Sequence, residues 1–313
     1  MSNSKRMLIF ELIRGAAAIG VAMLVALIFI FICSDEPMEA LRYMLVAPLF
    51  TNGSFSLNSL YIMLANSTPI IFTGLAVCVM FSANQFNLAG EGAVMLGGFV
   101  AALTGIYFST GTYADVFIAV FVGSAVCAVL MIIPALIKVK LNASEMVSSL
   151  MINYIIMYVV LHYLNNVFAD GSKGSVMTFP FAATAHVPAL VAGSSKLTWG
   201  FVVALICTVI IAFFMYRTRW GYSIRMIGIN QNFAKYSGMK VASVIVLSQI
   251  IGGFLSGMAG AVEVLGRYDT FLWRDLPGFG WTGVTVAILA KNNPIFIPIA
   301  AFFISYLQRG FTL

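Results

Sequence analysis

Charged side chains are scarce in this sequence, at 9% of 313 residues against 61% hydrophobic. A water-soluble domain carries about a quarter charged and about half apolar residues, so the shortage excludes an ordinary soluble core. Histidine is almost missing. His162 and His186 have no companion ligands at metal spacing, and Cys33, Cys78, Cys127 and Cys207 stand singly in apolar runs with no CxxC pair or loop framework. A metal enzyme and a disulfide scaffold are both set aside, and the cysteines read as buried thiols. No GxxxxGKS/T stretch exists to cradle a nucleotide phosphate. No serine beside a glycine has a base on a neighbouring turn, which argues against an intramembrane hydrolase. The sequence therefore predicts no catalytic residue, no metal and no cofactor, and any ATP chemistry must come from a partner.

The net charge of +6 raises the question of a nucleic-acid partner, which the positions of the basic residues answer. Arg217, Arg219, Arg225, Lys235 and Lys240 share one loop, Lys138 and Lys140 share another, and Lys5, Arg6 and Arg14 precede the first apolar run. Cations gathered at the ends of apolar runs follow the positive-inside rule and do not form a nucleic-acid-binding stripe.

What the chain has in abundance is long apolar runs. A helix needs about 20 apolar residues to cross the hydrocarbon core, and such stretches fall at about 14–33, 58–81, 86–108, 115–137, 146–166, 198–216 and 242–265. A last region, 279–308, is interrupted at Lys291-Asn292-Asn293-Pro294. The first run is too long for the apolar part of a secretory signal and reads as an uncleaved anchor. The expected architecture is all-α, one polytopic transmembrane bundle spanning residues 1–313. With a cytoplasmic N-terminus, the 138–143 and 217–240 loops lie inside, and Asp35, Glu36 and Glu39 outside. Residues 167–197 become the longest external loop, an irregular excursion with a short surface helix.

Two places break the pattern of straight helices: the polar, Gly-rich stretch from Ser82 to Gly92, and Gly278 to Gly283. Non-helical backbone at membrane depth survives only where protein buries it or water reaches it, so both are candidate pathway elements. Each is followed by a small-residue apolar run, a weak internal similarity of the kind duplicated transporter halves carry. Glu91 is the most conspicuous ionisable group, because a carboxylate between apolar runs must find water or a partner; capping a helix start or lying at the inner interface is the alternative. Glu263 and Lys291 lie near run ends and are expected at interfaces. Asn66, Ser67 and Thr68, ahead of Pro69, either line a polar route or fasten helices and satisfy freed carbonyls. Gly253 and Gly257 have GxxxG spacing, expected to pack helices closely. The 217–240 loop reads as a short amphipathic helix on the cytoplasmic face, available to a partner's groove.

At these residues the chain resembles a known family, the permease subunits of ABC importers related to the ribose and branched-chain amino acid systems. The likeness is to the branch served by basic-membrane-protein-type nucleoside-binding lipoproteins. Thr68 to Val77 is similar to that branch's TPLILTGLAV, and Phe86 to Gly92 to FNIGAEGQ. Met151 to Tyr154 is similar to MLNYI, Gly221 to Lys240 to GFxLRAVGxNPxAARYAGI, and Gly278 to Leu289 to GYGFDGIAVALLG. The resemblance implies an ABC importer permease fold with broken helices in the plasma (inner) membrane, and nucleoside transport by alternating access. It implies a cytoplasmic ABC ATPase subunit, a second permease subunit in a heterodimer, and an extracytoplasmic substrate-binding lipoprotein. It makes Arg225, Gly228, Asn230, Ala234 and Gly238 the ATPase-coupling residues. The pathway residues to expect are Asn66, Ser67, Thr68, Asn87, Glu91, Trp281 and Thr282. Simple sugars are the alternative substrate, and an ion-coupled secondary transporter is the rival mechanism. Departures from the pattern fall at Ala89, Ala93 and Thr282, where the family has Gly, Gln and Asp, so ligand preference is open to change. The chain stops at Phe311-Thr312-Leu313, where relatives usually continue into another spanning helix, so the expectation is either a shortened chain or a dispensable last helix.

Overall fold

A computed structural model describes residues 48–51, 54–108, 110–171, 174, 176–191 and 197–312, with scattered positions between 20 and 42. Contacts divide the chain into two compact units, Met1–Leu60 with Tyr306–Leu313, and Tyr61–Ser305. In the first, β1 (Phe50–Thr51) and β2 (Ser54–Phe55) form a minimal antiparallel hairpin with Phe50 opposite Phe55. The expected span at 14–33, and the basic residues before it, lie mostly outside the described residues.

Helices make up most of the other described residues. They are α1 (Leu57–Ser82), α2 (Gly90–Tyr107), α3 (Ala114–Leu130), α4 (Ile132–Leu141), α5 (Glu145–Asn166) and α6 (Gly200–Arg217). After them come α7 (Arg219–Ile229), α8 (Gln231–Tyr236), α9 (Val241–Arg267), α10 (Phe279–Leu289) and α11 (Ile297–Phe311). Seven helical stretches among the described residues are long and apolar enough to cross a membrane, with α3 and α4 forming one of them and α10 too short to count. The expected spans from residue 58 onward are reproduced to within a few residues, except that 115–137 is interrupted at Met131 and 86–108 loses its first residues to a turn. Pro69 does not end α1. The Ser67 and Thr68 hydroxyls donate to the Leu64 carbonyl at 2.8 and 3.2 Å, so they are spent within α1, while the carbonyl that Pro69 leaves without its helical N–H is that of Ala65.

Within Tyr61–Ser305, α9 is the central packing element, against α2 and α3. The reason is small residues. Gly97 of α2 faces the Gly257 backbone and Gly260 of α9 faces the Val94 carbonyl, so closely that a Cβ at either position would overlap the facing chain. Gly253 and Gly257 also close α9 onto Cys127 of α3 and Met131 just after it. Backbones come this near only where side chains are absent, the association that GxxxG spacing permits in membranes. The buried Cys78 and Cys127 thiols donate to the Asn292 and Ala93 carbonyls at 3.0 and 3.1 Å.

The outward surfaces of α3, α5 and α6 are apolar, with Phe117, Phe121, Met151, Tyr158, Val209 and Phe213 all exposed. Water does not tolerate so much contiguous apolar surface, and a bilayer does. Leu136 and Val139 of α4, Phe214 of α6, Trp220 of α7 and Ala242 of α9 line one depression, so the basic loops emerge at one end of this unit. At the other end, 176–187 folds inward. Ala182 N–H donates to Gly105, Val187 N–H to Leu265, and Phe181 N–H to Asp269, at 3.0–3.1 Å. The expected irregular excursion is therefore a packed strap, and its short helix is a single 3-10 turn at Ala183–Ala185. Asp115 at the start of α3 secures it by accepting from the Thr184 hydroxyl at 2.6 Å and the Thr110 N–H at 2.9 Å.

Candidate functional site

The two breaks picked out in the sequence meet at Glu91. This residue sits in the first turn of α2, 1% exposed, and its carboxylate accepts from the backbone N–H groups at the start of α10. Gly278 donates to Oε1, while Gly280 and Trp281 donate to Oε2 at 2.6 and 3.1 Å. An acceptor carboxylate is the natural complement of a helix N-terminus, whose first N–H groups lack intrahelical partners. Glu91 thus caps a helix other than its own. Gly278 makes the arrangement possible with φ at +85°, a conformation L side chains rarely adopt. Gly280 lies so near the Glu91 backbone that a side chain there would strike it.

Residues 86–89 lie between helices and the first N–H groups of α2 lack intrahelical partners, and α5 supplies replacements. Glu145, Ser149 and Asn153 lie at i, i+4 and i+8 on one face of α5. The Phe86 N–H donates to Glu145 at 3.4 Å, the Leu88 N–H to Ser149 Oγ at 3.0 Å and the Gly92 N–H to Asn153 Oδ1 at 2.8 Å. Asn153 also donates to the Leu88 carbonyl at 2.9 Å. Lys138 holds Glu145 from the other side at 2.8 Å. Asn87 is fully buried. Its amide donates to Gln249 of α9 at 2.5 Å, and its Oδ1 accepts from the Ala89 N–H at 2.7 Å.

Asn66 is half-buried and accepts from Arg267 at the end of α9, which also pairs with the buried Glu263 at 2.9 Å. Glu263 is thus one turn from a helix end, as expected, but it is turned into protein. Ser67 and Thr68 spend their hydroxyls on their own helix. Trp281 is 45% exposed on α10, and Thr285 one turn later is exposed as well. Thr282 is partly buried and donates to the Gly278 carbonyl at 2.9 Å. Of the seven expected pathway residues, Glu91, Trp281 and Thr282 therefore gather at one helix start, Asn87 adjoins it through residues 88–90, and Asn66 belongs to a separate polar cluster.

The expected coupling residues form a compact helix pair. Thr218 caps α7 by accepting from the Gly221 N–H at 3.1 Å, and Asn230 caps α8 by accepting from the Phe233 N–H at 3.0 Å. Gly238, at φ +81°, follows α8. Arg225 places its guanidinium 5.2 Å from the Tyr216 ring centre. Ala234 is buried, and Gly228 lies against the Ser82 carbonyl at the end of α1 with no room for a methyl group. Outward from the pair point Trp220, Tyr222, Ile229, Phe233 and Tyr236, the last 91% exposed.

Sequence reasoning missed Gln249, Arg267, Asp115 and the Ser149 rung. A single amide within the apolar run 242–265 and the four-residue spacing from Glu145 were the available signals. An apolar groove of about 770 Å³ is lined by Phe117, Phe121, Val203, Phe254, Met258 and Val262 among others. It has almost no polar group with which to orient a polar ligand. Among the described residues no three His, Cys, Asp or Glu side chains gather as a metal site would require.

Seven candidate spans among the described residues, and two buried breaks joined where Glu91 of one caps the helix that opens the other, define a multi-pass membrane protein. The chain belongs to the family described as branched-chain amino acid transport system / permease component, which it matches over residues 59–313. It is 30% identical over 246 residues to the guanosine ABC transporter permease protein NupP of Bacillus subtilis, covering 78% of this chain and 70% of that one. It is 26% identical over 299 residues to the nucleoside ABC transporter permease protein NupB of Lactococcus lactis, covering 92% and 82%. To the glucose ABC transporter permease protein TsgB13 of Haloferax volcanii it is 26% identical over 310 residues, covering 95% and 78%. No solved structure matches it. These relatives are transport components, not enzymes, and the chain is an ABC importer permease.

Proposed function

We propose that this chain is the nucleoside-translocating permease subunit of an ABC importer, a single permease domain with its N-terminus in the cytoplasm. The observation that carries the reading is the α7–α8 pair. Gly228 presses on the end of α1 while Ile229, Phe233 and Tyr236 face away from the protein. A helix pair seated on α1, with Ile229, Phe233 and Tyr236 exposed among polar neighbours such as Arg219, Gln231 and Lys235, suits docking into a partner's groove, and a cytoplasmic ABC ATPase is the partner that supplies work. Binding and hydrolysis of ATP there would shift the bundle between outward-open and inward-open states. A second permease subunit completes the conduit, and an extracytoplasmic substrate-binding lipoprotein delivers the ligand.

Nucleosides are the favoured cargo because the relatives named for guanosine and nucleosides include the one at 30% identity. Trp281, with Thr282 and Thr285 beside it, provides an aromatic face and hydroxyls suited to a base and a ribose. Glucose is the second reading, favoured by the Haloferax volcanii relative that matches across nearly the whole chain. The test is uptake of radiolabelled guanosine and glucose into proteoliposomes holding the complete transporter. Guanosine uptake that needs internal ATP, is blocked by vanadate and is indifferent to a protonophore fits the proposal. Uptake of glucose alone would exchange the substrate, and collapse by protonophore at constant ATP would favour an ion-coupled transporter.

A further inference from the structure

The meeting of α2 and α10 sets an electrostatic problem. Each helix begins with unsatisfied N–H groups that carry the equivalent of about half a positive charge. Both starts converge on one buried spot, since the Gly280 backbone touches the Glu91 backbone. Two such ends repel, and burial weakens the screening that would soften the repulsion. The Glu91 carboxylate lies between them, in the first turn of α2 and bonded to Gly278, Gly280 and Trp281 at the start of α10. One negative group therefore answers both helix ends, and its two oxygens are occupied by three backbone donors.

The same joint stands on a continuous line of contacts. The Thr73 hydroxyl of α1 donates to the Phe279 carbonyl at 2.9 Å, and the Cys78 thiol donates to the Asn292 carbonyl beyond the far end of α10. The last carbonyl of α1, on Ser82, is the surface against which Gly228 of α7 rests. An unbroken series of contacts thus runs from α7 to α1, from α1 to both ends of α10, and from α10 through Glu91 to α2. The outer face of α10 carries Trp281 and Thr285.

Resting on the permease reading above, we propose that Glu91 is a positioning residue. Its carboxylate locks α10 to α2 so that the Trp281 face moves with the helices driven by α7, and it does not touch the transported molecule. The distinction is measurable, because a pathway contact would act on substrate affinity and a lock acts on turnover.

The experiment reconstitutes the complete transporter with wild-type or Glu91→Gln permease and measures uptake of guanosine and uridine, together with ATP hydrolysis in the same vesicles. An amide puts a donor where the Gly278 N–H needs an acceptor, and the lost charge-assisted bonds predict a fall in maximal uptake of about tenfold. KM for both nucleosides should stay within about twofold, and hydrolysis should continue. A KM that rises for one nucleoside and not the other would place Glu91 against the substrate, and unchanged maximal uptake would show that no lock exists; either overturns the proposal. Hydrogen exchange at residues 278–282 reads the lock without transport: faster exchange in Glu91→Gln is expected, and wild-type exchange would overturn it. Absence of ATP-dependent uptake in the wild-type transporter would sink the permease reading instead, leaving the exchange result to judge Glu91. If Glu91→Gln fails to assemble, Thr73→Val loosens the same end of α10 without touching charge. It should lower maximal uptake with KM unchanged, and wild-type uptake by that variant would overturn the proposal.

Discussion

Asn153 shows how much one polar side chain inside this protein carries. Its amide oxygen accepts from Gly92 and its NH₂ donates to Leu88, so it bonds the backbone on both sides of the turn that opens α2. Asn153→Ala leaves a buried N–H without an acceptor, a loss of about 1–3 kcal/mol. A lower thermal unfolding midpoint in detergent is the expected result, and Asn153→Asp, which keeps the acceptor, should recover part of it. Individual residues of this kind were half legible in the sequence. Glu91 stood out because a carboxylate between apolar runs needs a partner. That its partner is the start of α10, 187 residues away at Gly278, is a fact of tertiary structure that no local pattern encodes. Gln249 passed unnoticed because one amide in an apolar run looks the same whether it binds a neighbour, a ligand or nothing.

At the scale of elements, hydropathy placed the helices well because length and composition alone decide what can cross a bilayer. Packing followed from small residues, and it makes a sharp test. Gly260→Ala should strain the α2–α9 contact by about 1–3 kcal/mol, because the new methyl meets the Val94 carbonyl and not a yielding side chain. Gly171→Ala, with nothing within 4 Å, should be silent. Recovery of monodisperse protein after detergent extraction reads both. The α7–α8 pair offers the complementary case, in which stability should stay and association should go. Ile229→Asp and Tyr236→Asp alter exposed positions, so unfolding should shift by no more than about 0.5 kcal/mol. Co-purification of the ATPase with the permease should be lost. The break at Met131 had a local signal that went unread, since Pro134 lacks the N–H that would bond the Leu130 carbonyl; the packed strap at 176–187 was not legible, because it depends on what lies across from it, bonding to Gly105, Leu265 and Asp269.

At the scale of the whole molecule, the proposed function requires the α7–α8 pair to be joined to the Trp281 face, and α1 and α10 provide the contacts that join them. The sequence suggested both ends, the 217–240 loop through its amphipathic pattern and the two breaks through their glycines. It could not suggest their connection, because Gly228 and Ser82 are far apart in the chain and their contact leaves no periodic trace. That contact is the most direct place to test the central claim. In a reconstituted transporter carrying Gly228→Leu, uptake and ATP hydrolysis are measured in the same vesicles, with complex assembly checked by co-purification. The expected result is that the side chain forces α7 away from the Ser82 carbonyl, so that ATP is still hydrolysed and nucleoside uptake per ATP collapses. Uptake per ATP equal to that of the wild-type transporter, in a complex that assembles normally, would contradict it.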